Sequence, residues 1–222
     1  TKTYVSSVMD DSNDWDAIGN LRVSDNRNAK MLTISNDVFV ICRKCGWSVL
    51  RNSTKIPKEH TNPRTGQDCK GDGPLGNYQL GHEFRTDVFR IEFETNELIL
   101  CICGDDHCLG SLESAGAAIA KSAVNVLGVA SEDLAYSVSG FAGSGKKRIM
   151  IFDTTPGGAG LASSIKDKLN EVLERAKKVV ENCNCDKDSS CYVCLRNYRN
   201  QSRHEHLTTT NASIILSHMK SV

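Results

Sequence analysis

The chain has no surplus of either charge: 27 lysines and arginines meet 27 aspartates and glutamates. No global field therefore draws it to nucleic acid or to an acidic membrane, and any such attraction rests on local patches. It lacks an apolar run near the roughly 18 to 20 residues that a membrane-spanning helix needs, and it lacks a charged-then-apolar leader. The expectation is a cytoplasmic protein with no membrane partner. Catalytic patterns are missing too, with no Ser-His-Asp arrangement, no His-Glu-x-x-His and no convincing carboxylate pair. There is no internal repeat and no low-complexity tract. The first residue is Thr1, which is read as a sign of a chain processed or cut from something larger. At 222 residues the chain can bury a real core as one large domain or two small ones.

Against these absences stand ten cysteines. In a reducing compartment, closely spaced cysteines are metal ligands or redox groups before they are structural disulfides. Cys183-Asn-Cys185, five residues, then Cys191-Tyr-Val-Cys194 can wrap one tetrahedral ion, and zinc is the first expectation. A closed site of four thiolates leaves no open coordination position, so the metal holds the fold and does not activate water. A redox role for Cys191 and Cys194 needs no second pair alongside. A second site is built on the knuckle Cys42-Arg-Lys-Cys45-Gly46, with His60 and Cys69 as the partners that would tether the long polar loop 51–77. Cys101, Cys103 and Cys108 with His107 are the rival partners. On a strand, Cys101 and Cys103 share a face and simply pack there.

Gly140-Phe-Ala-Gly-Ser-Gly145-Lys146-Lys147 imitates a phosphate loop but puts Lys147 where magnesium needs Ser or Thr, and a strand follows instead of a helix. It is read as a flexible hairpin tip whose Lys146, Lys147 and Arg148 are candidates for phosphate contact. Arg196, Arg199 and Arg203, beside Tyr198 and the closing cysteines, are further candidates for nucleic-acid binding. Asp153-Thr-Thr-Pro156-Gly-Gly-Ala-Gly160 hands a strand to a helix. Its glycine N–H groups either bind an anion such as a DNA phosphate or only permit a tight crossover. Asp153 with Glu83 or Asp87 is the material for a nuclease-like metal site.

The coarse pattern is α+β: a mainly antiparallel sheet packed by two long helices, with zinc-bound elements. Residues 1–36 read as an irregular lead-in and 37–222 as the domain. The domain comprises a zinc knuckle and loop (42–69), a core (80–181), the cysteine cluster (183–194) and a final helix (208–220) that the threonines at 208 to 210 can cap. A hairpin turning at Asn36-Asp37 is expected, then strands over 84–93 and 98–100. Leu112, Ala115, Ile119, Ala123, Val126 and Leu127 space one long helix over 110–130, and Leu161 to Val179 a second over 160–181. Strands near 134–138 and 149–152 lie between them.

Taken in order, Cys42-x-x-Cys45-Gly, His60, Cys69, Leu80-Gly-His-Glu-Phe-Arg-Thr-Asp87, Asp153-x-x-Pro-Gly-Gly-Ala-Gly160 and the closing Cys-x-Cys…Cys-x-x-Cys-Leu resemble the MrfA-type zinc-binding domain. That domain is the C-terminal part of DEAD/DEAH-box helicases implicated in DNA repair and also occurs in DrmB-like antiphage-defence proteins. The resemblance covers about Asp37 to Met219. It implies zinc on Cys183, Cys185, Cys191 and Cys194, a helicase motor in the same polypeptide or complex as partner, and DNA as a further partner. It departs from the family at Thr208-Thr209-Thr210, where a more polar pair is expected. No motor motif is present in this chain, so the implied role is accessory and not catalytic. The alternative is a protein-interaction subunit that does not touch nucleic acid.

Overall fold

Strands come first along the chain and helices later. β1 (Thr3–Val8), β2 (Asp16–Ile18), β3 (Leu21–Cys42), β4 (Ser48–Leu50), β5 (His60–Thr61), β6 (Asp68–Cys69) and β7 (Leu75–Glu94) precede α1 (Asp106–Leu127). Then follow β8 (Leu134–Gly140), β9 (Lys146–Asp153), α2 (Leu161–Ser164), α3 (Leu169–Glu181) and α4 (Thr209–His218). This computed structural model describes residues 3–8, 14–51, 59–69, 75–94, 106–140 and 146–220. The architecture is α+β, and among the described residues the pairs β2–β3, β3–β4, β5–β6, β7–β9 and β8–β9 are antiparallel. Among the described residues no helix is long and apolar enough to cross a membrane.

The chain divides into two units, Thr1–Ser7 with Leu32–Glu83, and Val8–Met31 with Phe84–Val222. The long strands β3 and β7 contribute residues to both. In the first unit β4 pairs with the end of β3, Val40 opposite Val49, and β5 pairs with β6 as a separate ribbon. The hairpin expected at Asn36-Asp37 is not formed, because β3 runs through those residues. Its neighbour sustains it: Ser35 Oγ accepts from Leu80 N at 3.1 Å, and the Gln79 amide donates to Ser35 O at 3.1 Å. A polar pair that favours a turn locally stays extended when a partner strand holds the residue before it.

In the second unit β3, β7, β9 and β8 are successive neighbours and β2 pairs with the start of β3, Asp16 opposite Val23. Residues 16–31 are therefore mostly strand, where an irregular lead-in is expected. Leu21 and Val23 are buried in the main core, and that burial is what fixes them. β9 lies between β7 and β8: Phe89 faces Ile151 on one side, and Val138 faces Ile149 on the other. The core lies between this sheet and α1, α3 and α4. Small residues on α1 bring it close to β8; a Cβ on Gly116 would come within 2.8 Å of the Tyr136 ring. Trp15 is ringed by three guanidinium groups, Arg22, Arg90 and Arg148, at 4.7 to 5.3 Å from the ring centre, a cation–π arrangement. Glu92 answers the charge of Arg22 at 2.8 Å and of Arg148 at 2.9 Å.

The second long helix expected over 160–181 is broken into α2, a 3-10 turn at Lys166–Lys168, and α3. The causes are local. Ser164 Oγ donates back to Gly160 O at 2.8 Å, a habit that disturbs helices. Ile165 N and Lys168 N bond three residues back, not four. Lys166 turns aside to Asp16 at 2.6 Å and Asp25 at 2.8 Å, which raises its pKa. α4 begins as its threonines foretell: Thr208 Oγ1 accepts from Asn211 N at 3.0 Å, the bond of an N-cap. Residues 95–105 and 141–145, with the strand expected at 98–100, lie outside the described residues.

Candidate metal centres

α3 ends at Glu181 and delivers Cys183 directly to the closing cluster. The next pair sits on a tight turn in which Leu195 N and Arg196 N both donate to Cys191 O, at 3.1 and 2.9 Å. The four sulfurs of Cys183, Cys185, Cys191 and Cys194 lie within 4.8 Å of one another. Neighbouring sulfurs are 3.3, 3.5, 3.7 and 3.7 Å apart. A disulfide needs about 2.05 Å, whereas thiolates at about 2.3 Å from a tetrahedral ion stand about 3.8 Å apart. The spacing fits the latter. Burial raises the pKa of Cys185 and of Cys194. It also pushes Cys191 up, but the backbone N–H groups of Cys194 and Val193 outweigh it and bring that thiol down to about 7. Four sulfurs held this close, three half-buried and Cys194 buried, could share one cation that carries their charge together.

The unexpected threonines lock this loop. Thr209 Oγ1 and Thr210 Oγ1 both donate to Lys187 O, at 3.1 and 3.0 Å, and Thr209 N donates to Ser189 O at 3.1 Å. The five residues between the cysteine pairs are thereby pinned to the start of α4. Arg203 adds a clasp to α1 through both oxygens of Glu113, one at 2.6 Å.

The second group lies in the other unit. Cys42, at the end of β3, begins a knuckle: Gly46 N donates to Cys42 O at 2.8 Å, with Gly46 at φ 78°, a conformation in which glycine avoids the side-chain penalty. The β5–β6 ribbon sets His60 directly opposite Cys69, and the ligand atoms of Cys42, Cys45, His60 and Cys69 lie within 4.8 Å of one another. His60 Nε2 is 3.1 Å from Cys45 Sγ, and its Nδ1 is buried with no hydrogen-bond partner among the described residues. Trp47 stacks on the imidazole with ring centres 4.6 Å apart. Backbone N–H groups, Cys45 first and Lys44 next, overcome burial and bring Cys42 down to about 6. Burial first, then the Cys45 and Cys42 sulfurs, push Cys69 up to about 11. A tetrahedral ion at the centre suits this donor set. The rival partners Cys101, Cys103, His107 and Cys108 have side chains outside the described residues. Substituting His60→Ala is expected to lower the metal content by one ion per chain, read by elemental analysis. An unchanged count would exclude His60 as a ligand.

The Pro156-Gly-Gly-Ala-Gly160 turn has its anion already. Asp153, fully buried at the end of β9, accepts from Ala159 N at 2.6 Å, Leu161 N at 3.1 Å and Ala162 N at 2.7 Å. Asp87 accepts from Gly160 N and from Asn28 N, both at 2.8 Å. The N–H groups that could face a phosphate are thus filled by the chain's own carboxylates, and both aspartates serve the turn. This removes the motive for a nuclease-like site: among the described residues, the groups of converging donors are the two that contain cysteine. Gly158, at φ +80°, sits so close that any Cβ would run into the Asp87 carboxylate.

The expected nucleic-acid residues divide. Lys146, Lys147 and Arg148 belong to β9 and not to a loose tip. Arg148 pairs with Glu92 at 2.9 Å, and Lys146 lies 3.9 Å from Glu94. Arg203 is engaged by Glu113. Among the described residues, Arg196 donates to the hydroxyls of Ser190 and Ser189, at 3.0 and 3.4 Å, and Arg199 is exposed. Arg196, Arg199 and Arg203 line one cavity together with Lys121, Tyr136 and Tyr192, residues to which no sequence motif pointed.

The Druantia protein DruE of Escherichia coli (strain UMEA 4076-1) is 26% identical over 183 residues, covering 73% of this chain and 10% of that protein. A crystal structure of the DUF1998 helicase MrfA bound to DNA matches 99% of this chain and 24% of its own, with TM-score 0.57 and 14% identity, a likeness of fold. The chain therefore spans about a tenth of the curated relative and about a quarter of the solved helicase. Residues 115–195 match the family described as the MrfA Zn-binding domain, and the match contains the buried face of α1, the β8–β9 pair, the Asp153 turn and all four closing cysteines. Over Ala115 to Leu195 this chain is similar to the MrfA Zn-binding domain family.

Proposed function

We propose that both four-donor groups hold zinc. We further propose that the chain is the accessory domain of a larger helicase-type protein of DNA repair or antiphage defence, working in the cytoplasm beside a motor in the same polypeptide or complex. The observation that carries this reading is the sulfur geometry of Cys183, Cys185, Cys191 and Cys194 at the end of the family match. Closed sites of this kind give zinc a structural task, cross-linking segments that the chain alone holds weakly. Here the ion would fasten the end of α3 to the Arg196–Arg203 segment. Support for nucleic-acid engagement comes from that segment's cations and from the DNA-bound state of the solved helicase.

The chain is expected to bind single-stranded DNA with an affinity that falls with salt. Contacts from Lys147, Arg196 and Arg199 to three phosphates correspond to a slope of about −2 in log K against log salt. Fluorescence anisotropy between 50 and 200 mM salt measures it. A flat or absent response, with a motor protein co-purifying, would favour a protein-interaction role instead.

A further inference from the structure

A cavity of about 440 Å³ opens between α1, β8 and the segment that follows Cys191. Its size is that of a small-ligand site. Among its lining residues are three of the chain's five tyrosines, Tyr136, Tyr192 and Tyr198, and four cations, Lys121, Arg196, Arg199 and Arg203, with no carboxylate. Among the described residues, Arg203 is the one of the four that is paired with an acid, Glu113 on α1. In this unit the exposed large hydrophobic side chains among the described residues are Tyr192, Val193 and Tyr198. All three lie on this one segment, and Tyr198 is 82% exposed.

The rim is held stiffly. Asn197 N donates to Asn200 Oδ1 at 2.8 Å, and Asn200 N donates back to Asn197 Oδ1 at 2.9 Å. The Asn200 amide donates to Leu195 O at 2.9 Å. Tyr192 is braced edge-on by His204, with ring centres 5.5 Å apart, and Lys121 Nζ donates to Tyr192 O. An aromatic ring left in water beside uncompensated guanidinium groups, on a backbone that does not need to be ordered on binding, has the chemistry of a stacking platform for a base and its phosphates. A peptide occupant would find three cations that no described acid answers, Lys121, Arg196 and Arg199, and no lining carboxylate for its own basic groups.

We propose that this cavity receives one unstacked base of a single-stranded nucleic acid, with Tyr198 as stacking face and Arg196 and Arg199 on the flanking phosphates. The inference rests on the nucleic-acid reading above and gives it a place. A base paired in a duplex cannot enter without leaving its stack, so single strands bind more tightly than duplexes of equal length.

The test uses the zinc-loaded 222-residue chain with a 20-nucleotide oligodeoxythymidylate, the same oligomer with abasic sites, and a duplex of equal length. Tyr198→Ala is expected to weaken binding to the oligothymidylate about tenfold, and the abasic oligomer to bind the unaltered chain as weakly as the variant binds the intact one. Arg199→Gln is expected to reduce the salt slope by about 0.7, the share of one phosphate on a single strand. Both side chains are exposed, so both variants should keep the wild-type zinc content. Salt-dependent binding that neither variant weakens, or that ignores the missing bases, overturns the cavity and leaves the accessory DNA role standing. Failure to bind any of the three DNAs at low salt overturns both.

Discussion

Stripping the metal from the Cys183–Cys194 group is expected to lower the melting temperature of the Phe84–Val222 unit by more than about 10 °C. Cys194→Ser should do the same. Cys194, Leu195 and Leu207 are almost fully buried in the same core as α1, α3 and α4, and the loop between the cysteine pairs is bonded to the first turn of α4. An ion held by the four cysteines would therefore join the end of α3, the Arg196–Arg203 segment and α4. Structural zinc supplies about 10 to 16 kcal/mol of apparent binding free energy in small domains, against a total stability of about 5 to 15 kcal/mol. Losing even 5 kcal/mol shifts a domain of this size by about 10 to 20 °C. Calorimetry of the zinc-loaded and chelated chains measures the change. Identical melting curves with and without bound metal would show that the cluster does not carry the fold.

Asp153→Ala should cost about 3 to 5 kcal/mol with the metal content unchanged. The carboxylate accepts three backbone N–H groups in a site with no solvent access. Alanine leaves them without a partner, at about 1 to 3 kcal/mol each and not fully additive. Asp153→Asn should cost less, about 2 kcal/mol. An asparagine oxygen can replace the Oδ2 that serves Ala159 and Leu161, but its NH₂ then faces the Ala162 N–H. The midpoint of urea unfolding at fixed zinc reads the difference. A loss below 1 kcal/mol for the alanine variant would mean that water or a neighbouring group takes over the turn, and would reopen it to an external anion.

Legibility in the sequence tracked the distance over which each feature is decided. The cysteine pairs, the apolar spacing of α1, the strands at β8 and β9 and the threonine cap of α4 are all set within a few residues, and the spacing alone places them. The convergence of His60 and Cys69 on Cys42 and Cys45 also followed from counting donors, although the ribbon that makes it is only two residues a strand. What was hidden depends on remote partners. Asn36-Asp37 looks like a turn until residues 79 and 80 come alongside. Lys166 ends an otherwise regular helical pattern because Asp16 and Asp25, far back in the chain, draw it away. Lys146 and Arg148 read as free charge because the opposing Glu92 and Glu94 belong to a different strand. Asp87 and Asp153 were each visible in a motif, yet their shared task on the Pro156–Gly160 turn follows only from the pairing of β7 with β9.

The stacking of Trp47 on His60 has a consequence for optics. The chain has two tryptophans, and they fall one to each unit: Trp47 lies against the candidate metal ligand His60, and Trp15 lies inside a ring of arginines. The fluorescence of this chain is thus already divided between two reporters with different quenchers. A paramagnetic ion seated between His60 and the three cysteines beside it would darken one emitter while the other stayed lit.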